Sequence, residues 1–325
     1  MRSRVTMVLA VTAVLLGGVM LVPAAYARLS SDETTPAQQS VAAPTPAPPP
    51  PPTLAAGKVS VNFKGEFFSW ALLDRESGEI SGAKNMTATS STESMLKVWF
   101  VADYLRRLGD KEPTAAMKDA ASRAIRDSDD DAANTIYRAV GGSYSVPAGG
   151  QPGPVVKRAI SICDLTDTKR GSVTGYEGWW SFTQMSPRDA VRLGDCIADG
   201  TAAGPKWTKW LLSEMSRVRG STAAEDQELR AGGGRWGIVD GLPESITSQG
   251  PVSIKNGWTP LEYDGNWHVN CLAVAEEWSL AVMLRYPQSS SLDYGADVCA
   301  SVAAQLVTPQ PGGALKVPQQ PIGKL

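Results

Sequence analysis

Apolar residues are spread unevenly along the 325-residue chain, and their spacing separates its elements. Leu96, Val98, Trp99, Phe100, Val101, Tyr104 and Leu105 cover almost every side of a helix, which predicts a helix buried in a core. Upstream, Phe67 to Asp74 reads as a strand, Arg75-Glu76-Ser77-Gly78 as a turn, and Glu79 to Ala83 as a returning strand. Helical spacing recurs over Pro113 to Ile125, Ala132 to Val140, Pro187 to Ala198 and Pro205 to Arg217. After Ser245 the pattern changes to strands at Val252 to Trp258, Trp267 to Ala275 and Trp278 to Tyr286, followed by a helix from Leu292 to Leu306. Strands at both ends and helices between them imply an α+β domain. Its ends meet in one antiparallel sheet, and the helical lobe is an insertion of about residues 94–240.

The two ends of the chain have a different texture. Arg2 and Arg4 precede an apolar run from Val5 to Val22 and then Ala25-Tyr26-Ala27, the layout of an export signal, so residues 1–27 are read as one. The run is long for a signal, and an uncleaved anchor is the alternative; this would be the only route to a membrane. Residues 28–57 hold many prolines, including Pro48 to Pro52, and read as an extended linker. The folded domain is expected over 58–307, with a disordered tail over 308–325.

Composition narrows the function. The chain is 42% hydrophobic and 20% charged with net charge -2, and it has no basic block, so nucleic acid is not an expected partner. Four cysteines in an exported chain imply disulfides. Three pairings are open. The expected one joins Cys163 to Cys196 within the lobe and Cys271 to Cys299 between a strand and the last helix. Each bridge would contribute ~3 kcal/mol. With one histidine and no Cys-x-x-Cys spacing, no metal or cofactor is called for. A Ser-His-Asp triad would have to use His268, which sits near a strand start with no Gly-x-Ser-x-Gly turn in the chain. His268 is therefore expected to lack a catalytic role, and a serine hydrolase here would use lysine as its base.

Ser94 and Lys97 supply that pair. Ser94-Met95-Leu96-Lys97 opens the buried helix and puts hydroxyl and amine on one face. Burial disfavours an ammonium, so Lys97 can act as a base. A second Ser-x-x-Lys at Ser81 to Lys84 lies in a polar turn or strand edge and is set aside. Ser128-Asp129-Asp130-Asp131-Ala132-Ala133-Asn134 falls between two helices and also suits an ordinary helix cap. Lys255-Asn256-Gly257-Trp258 lies on a strand, where a glycine admits close approach of a ligand backbone.

In this order and setting, the three segments resemble the S-x-x-K, S-D-N and K-T-G motifs of penicillin-recognising serine enzymes. The stretch from Ser128 to Asn134 is closest to the class A β-lactamase branch. The resemblance implies a five-stranded antiparallel sheet flanked by N- and C-terminal helices, with the inserted all-helical lobe. It implies Ser94 as acylated nucleophile, Lys97 as its base, Ser128 as proton donor to the leaving nitrogen, and Lys255 as anchor of the substrate carboxylate. Asp130, Asn256, Gly257 and Trp258 would line the substrate site, with the Ser94 and Trp258 amides as oxyanion donors. The substrate would be a β-lactam or a D-alanyl-D-alanine peptide of the cell wall, taken by a monomer.

Three departures weigh against full activity. Asp130 stands where the family has Asn, and as a carboxylate it would pair with Lys97 and weaken it as a base. Asn256 stands where the family has Thr. No Glu-Pro-Glu-Leu-Asn-like loop supplies a water-activating acid; Glu177, in Gly175 to Trp180, is the acid in a similar place. The alternative function is a catalytically impaired homologue that binds cell-wall peptides or a protein partner.

Overall fold

The computed structural model describes residues 59–146, 148–227 and 232–307. The expected signal, most of the linker and the tail lie outside these residues. Among the described residues, no helix is long and apolar enough to cross a membrane.

The main sheet is antiparallel. Strand β1 (Phe67–Asp74) lies between β2 (Ile80–Gly82) and β8 (Trp278–Pro287); β7 (Asn266–Val274) follows β8, and β5 (Ser253–Ile254) and β6 (Gly257–Leu261) both pair with β7. The expected five strands are thus five positions, the last split in two. The split falls at Lys255 and Asn256, although the Lys255 amide still reaches the Leu272 carbonyl at 3.0 Å. A separate pair, β3 (Ser90–Ser91) and β4 (Gln184–Met185), ties the start of the lobe to its far side.

Side chains alternate across the sheet as a strand period of two requires. Ala71, Leu73, Leu272, Val274, Ala281 and Met283 face the helical lobe. Trp70, Leu72, Cys271, Ala273, Leu280 and Val282 face the opposite way. Both faces are covered, which is why these strands read as nearly continuous apolar runs.

The lobe begins with a short 3-10 turn, Glu93–Leu96, which leads into α1 (Lys97–Leu108). Helix α1 is buried on most sides. Around it stand α2 (Ala115–Arg126), α3 (Asp130–Ala139), α4 (Pro154–Ile162), α5 (Pro187–Ala198) and α6 (Pro205–Met215). Their starts are written in the sequence. Thr114, Asp129 and Ser186 accept backbone amides as N-caps, and proline opens α4, α5 and α6. The buried Asp103 of α1 is paired with Arg106 and with Arg158 of α4. Two short helices, α7 (Ala224–Gln227) and α8 (Glu244–Thr247), precede the return to the sheet, and α9 (Leu292–Leu306) packs on its outer face.

The N-terminal side departs from expectation. Among the described residues no helix precedes β1. Instead an extended segment runs along α9, where Ser60 exchanges hydrogen bonds with the Gln305 amide at 2.9 and 3.1 Å. Cys163 is joined to Cys196 and Cys271 to Cys299, as expected, with Cα separations of 5.5 and 6.4 Å. The first bridge ties the end of α4 to α5, and the second ties β7 to α9. Paired cysteines suit an oxidising compartment.

Candidate active site

Three segments far apart in sequence meet where the 3-10 turn, the cap of α3 and the split edge strand converge. Gly257 shows how close they come. A Cβ there would lie 2.4 Å from the Met95 amide nitrogen and 2.7 Å from that of Ser94. The glycine is required because β6 lies directly on the turn that carries Ser94. Its close neighbour is this backbone, not a ligand's as the sequence suggested. The contact also brings the strand carrying the Trp258 amide onto the turn carrying the Ser94 amide.

The cleft has a volume of about 400 Å³; Ser94, Ser128, Asp130, Asn134, Trp180 and Trp258 line it, with Glu93 beside Ser94. Among the described residues, three non-glycine residues have positive φ, and two of them are Glu93 (47°) and Ser128 (55°). Strain of this kind persists where the surroundings enforce it, commonly at functional sites. A larger hollow of about 810 Å³ near Arg75, Lys209 and Trp278 contains none of these groups.

Lys97 and Lys255 are both fully buried. Lys97 Nζ donates to the Ser128 carbonyl, to Ser128 Oγ at 3.3 Å and to Asp130 Oδ1 at 2.6 Å. Lys255 Nζ donates to Ser128 Oγ at 2.9 Å and to the Asn256 carbonyl at 2.9 Å. The Ser128 hydroxyl therefore accepts from both amines, which leaves its own proton free to point into the cleft. Burial pushes the Lys97 pKa down, while the charge and hydrogen bond of Asp130 pull it back up. Burial pushes Lys255 well down, and the charge of Lys97 pushes the same way. The expected Asp130–Lys97 pair is present. Ser94 is not among the hydrogen-bond partners of Lys97.

Two sequence readings change at this point. Glu177 does not line the cleft; its carboxylate accepts from the Gly175 amide at 2.8 Å within its own turn. The residue of that loop that faces Lys97 is Trp180, whose ring lies 5.6 Å from Nζ. Trp180 is held by Asn134, whose Oδ1 accepts its Nε1–H at 3.1 Å and also the Tyr144 hydroxyl. Asn256 is buried and faces away from the cleft, donating to the Gly234 and Trp236 carbonyls at 2.9 and 2.8 Å. It ties the split edge strand to the segment that carries Gly234 and Trp236 and is not placed to touch substrate. Trp258 does line the cleft, with its ring 6.0 Å from Lys255 Nζ and its Nε1–H on Gln227 at 2.6 Å.

His268 is more engaged than expected. Its Nδ1 lies 2.6 Å from Ser91 Oγ and its Nε2 lies 2.8 Å from Asp264 Oδ2. These are Ser, His and Asp in a hydrogen-bonded row, but Ser91 is fully buried and has no access to a substrate. Sequence reasoning also passed over Glu93. Its signal was an acid immediately before Ser94 in an otherwise buried stretch. Among the described residues, no group of three or more His, Cys, Asp or Glu side chains is placed to hold a metal ion.

No family model matches the sequence, and no curated protein does. Solved structures do match in fold. The structure of PBP-A is 14% identical, covering 76% of this chain and 90% of its own, with a TM-score of 0.53. A β-lactamase from Xanthomonas campestris pv. campestris is 15% identical over 75% of this chain and 92% of its own, again with a TM-score of 0.53. L2, solved in complex with relebactam, is 16% identical over 73% and 88%, with the same TM-score. The chain therefore has the fold of the class A β-lactamases and penicillin-binding proteins.

Proposed function

We propose that this protein is an exported acyl-serine hydrolase that opens β-lactams or D-alanyl-D-alanine-type peptides through Ser94. The observation that carries the reading is the convergence of two buried amines on Ser128 Oγ, at 3.3 and 2.9 Å, in the cleft that Ser94 lines. The Ser94 oxygen attacks the acyl carbon, and its proton passes to the lobe-side amine, Lys97. Charge then develops on the acyl oxygen, where the Ser94 and Trp258 amides are the donors in reach. Ser128 gives its proton to the leaving nitrogen and is reprotonated from the amines behind it. Lys255 meets the substrate carboxylate. The reading of residues 1–27 as an export signal and the two disulfides support a location outside the cytoplasm.

One observation favours the alternative of a non-hydrolysing wall-peptide binder. Lys97 is engaged by Asp130 and Ser128 and not by Ser94. A fluorescent penicillin separates the two readings. The hydrolase reading expects covalent labelling of the wild type and none of Ser94→Ala. Peptide binding that survives Ser94→Ala, with no labelling of the wild type at saturating probe, supports the binder.

A further inference from the structure

Glu93 stands between the two oxyanion donors. It immediately precedes Ser94, and its partner Thr259 immediately follows Trp258. Thr259 Oγ1 lies 2.8 Å from Glu93 Oε2 and 2.6 Å from the Trp258 carbonyl, so one side-chain hydrogen bond links the two peptide segments that carry the donors. The other carboxyl oxygen, Oε1, is buried without a donor. The Ser91 hydroxyl bears on the same carboxyl.

Hydrogen-bond accounting fixes the direction of this row. Asp264 accepts from His268 Nε2–H, so Nδ1 of the neutral ring is an acceptor. Ser91 must then donate its single proton to Nδ1. It has none left for Glu93, so an ionised Glu93 keeps Oε1 buried without a donor, whereas a protonated Glu93 has Ser91 Oγ as an acceptor to turn to. An anion at Glu93 would also oppose the negative charge that forms on the acyl oxygen.

We propose that Glu93 is a positioning residue of the oxyanion site that works as a neutral acid, its proton held by and exchanged through Ser91, His268 and Asp264. Proton balance is simple. Glu93 passes its proton to Ser91 as Ser91 passes its own to His268 Nδ1, leaving a Glu93 carboxylate and an imidazolium paired with Asp264. The inference rests on the acyl-serine reading for its oxyanion role, but the protonation state stands apart from it. Burial agrees with it, raising Glu93 to about 7; Asp130 and Asp264 add to the rise, and Lys97 senses the carboxyl. Burial pushes His268 down, Asp264 and Glu66 pull it up, Arg285 pushes it down, and the Tyr263 ring is 6.0 Å away.

The experiment compares wild type, Glu93→Gln and Glu93→Ala in two readouts, the rate of labelling by fluorescent penicillin and the thermal midpoint. Because the folded-state pKa of Glu93 is raised from 4.5 to about 7, the wild type loses stability as pH rises between these values. The midpoint advantage of Glu93→Gln should therefore widen as pH rises from about 5 to about 8. The ratio of Glu93→Gln to wild-type labelling should climb about tenfold per pH unit above about 7. Glu93→Ala, which has lost the link to Thr259, should label at least about tenfold more slowly than Glu93→Gln at every pH. A pH-independent midpoint difference overturns the neutral acid whatever the labelling shows. Equal labelling of the Gln and Ala variants overturns the positioning role. Absence of labelling in the wild type at every pH removes the acyl-serine reading and the oxyanion role with it, while the midpoints still decide the protonation state. Ser91→Ala is the second variant. In the proposed row the Ser91 hydroxyl accepts from the neutral acid, so its removal should destabilise that form and move the fall in labelling to lower pH than in the wild type; an unmoved profile, or a shift to higher pH, overturns the role of the row.

Discussion

On the helical wall of the cleft, the buried ammonium of Lys97 faces a carboxylate, Asp130, at 2.6 Å. On the sheet wall, the equally buried Lys255 meets only neutral acceptors, Ser128 Oγ and the Asn256 carbonyl. Burial opposes charge on both and Asp130 pulls both back up, but only Lys97 touches that carboxylate, and the charge of Lys97 pushes Lys255 further down. The cleft therefore gives its proposed base a hydrogen-bonded counterion and its proposed anchor only neutral hydrogen-bond partners. A substrate carboxylate at Lys255 would supply the missing partner and raise that lysine's pKa. The same comparison explains the cost of Asp130. A side chain that holds Lys97 charged keeps it from accepting the Ser94 proton.

The comparison can be broken most severely at Lys97. Lys97→Met removes the amine but keeps the stem, and acylation by a penicillin should fall by about 10²–10⁴-fold, the usual contribution of a general base. Stopped-flow or gel labelling measures this, and a loss below tenfold would assign the proton to another group. Asp130→Asn sharpens the comparison. With the anion gone, the Lys97 pKa falls, more of the amine is neutral at pH 7, and acylation should rise by about tenfold for each unit of change. The rising limb of the pH–rate profile should move to lower pH. A profile that does not move would mean that Asp130 has no hold on the base. The smallest effect belongs to Glu177, whose carboxylate serves its own turn. Glu177→Gln should leave both labelling and turnover within about twofold of wild type. A trapped acyl-enzyme in that variant would return Glu177 to the chemistry.

Much of this was legible in the sequence because the physics was local. Proline and cap residues marked Pro187–Ala198, and apolar periodicity marked Leu292–Leu306; both helices have the predicted bounds. Pro154–Ile162 was missed because it is short and sits among glycine- and proline-rich turns that read as loop. The three motifs reported the meeting of Ser94, Lys97, Ser128 and Lys255 because their residue types are scarce in cores. Residues whose roles depend on long-range pairing could not be read this way. Nothing local to Asn256 says that its amide turns toward Gly234 and Trp236. Nothing local to His268 says that Ser91, 177 residues away, lies 2.6 Å from its ring. Gly257 is intermediate: its need for space was legible, but the neighbour that claims the space was not.

Mass spectrometry of the intact protein after incubation with a penicillin, followed by peptide mapping, tests the central claim most directly. The account predicts a covalent adduct equal in mass to the whole β-lactam, carried by the peptide that contains Ser94. An unmodified protein at saturating penicillin, or an adduct mapped to any other residue, would contradict it.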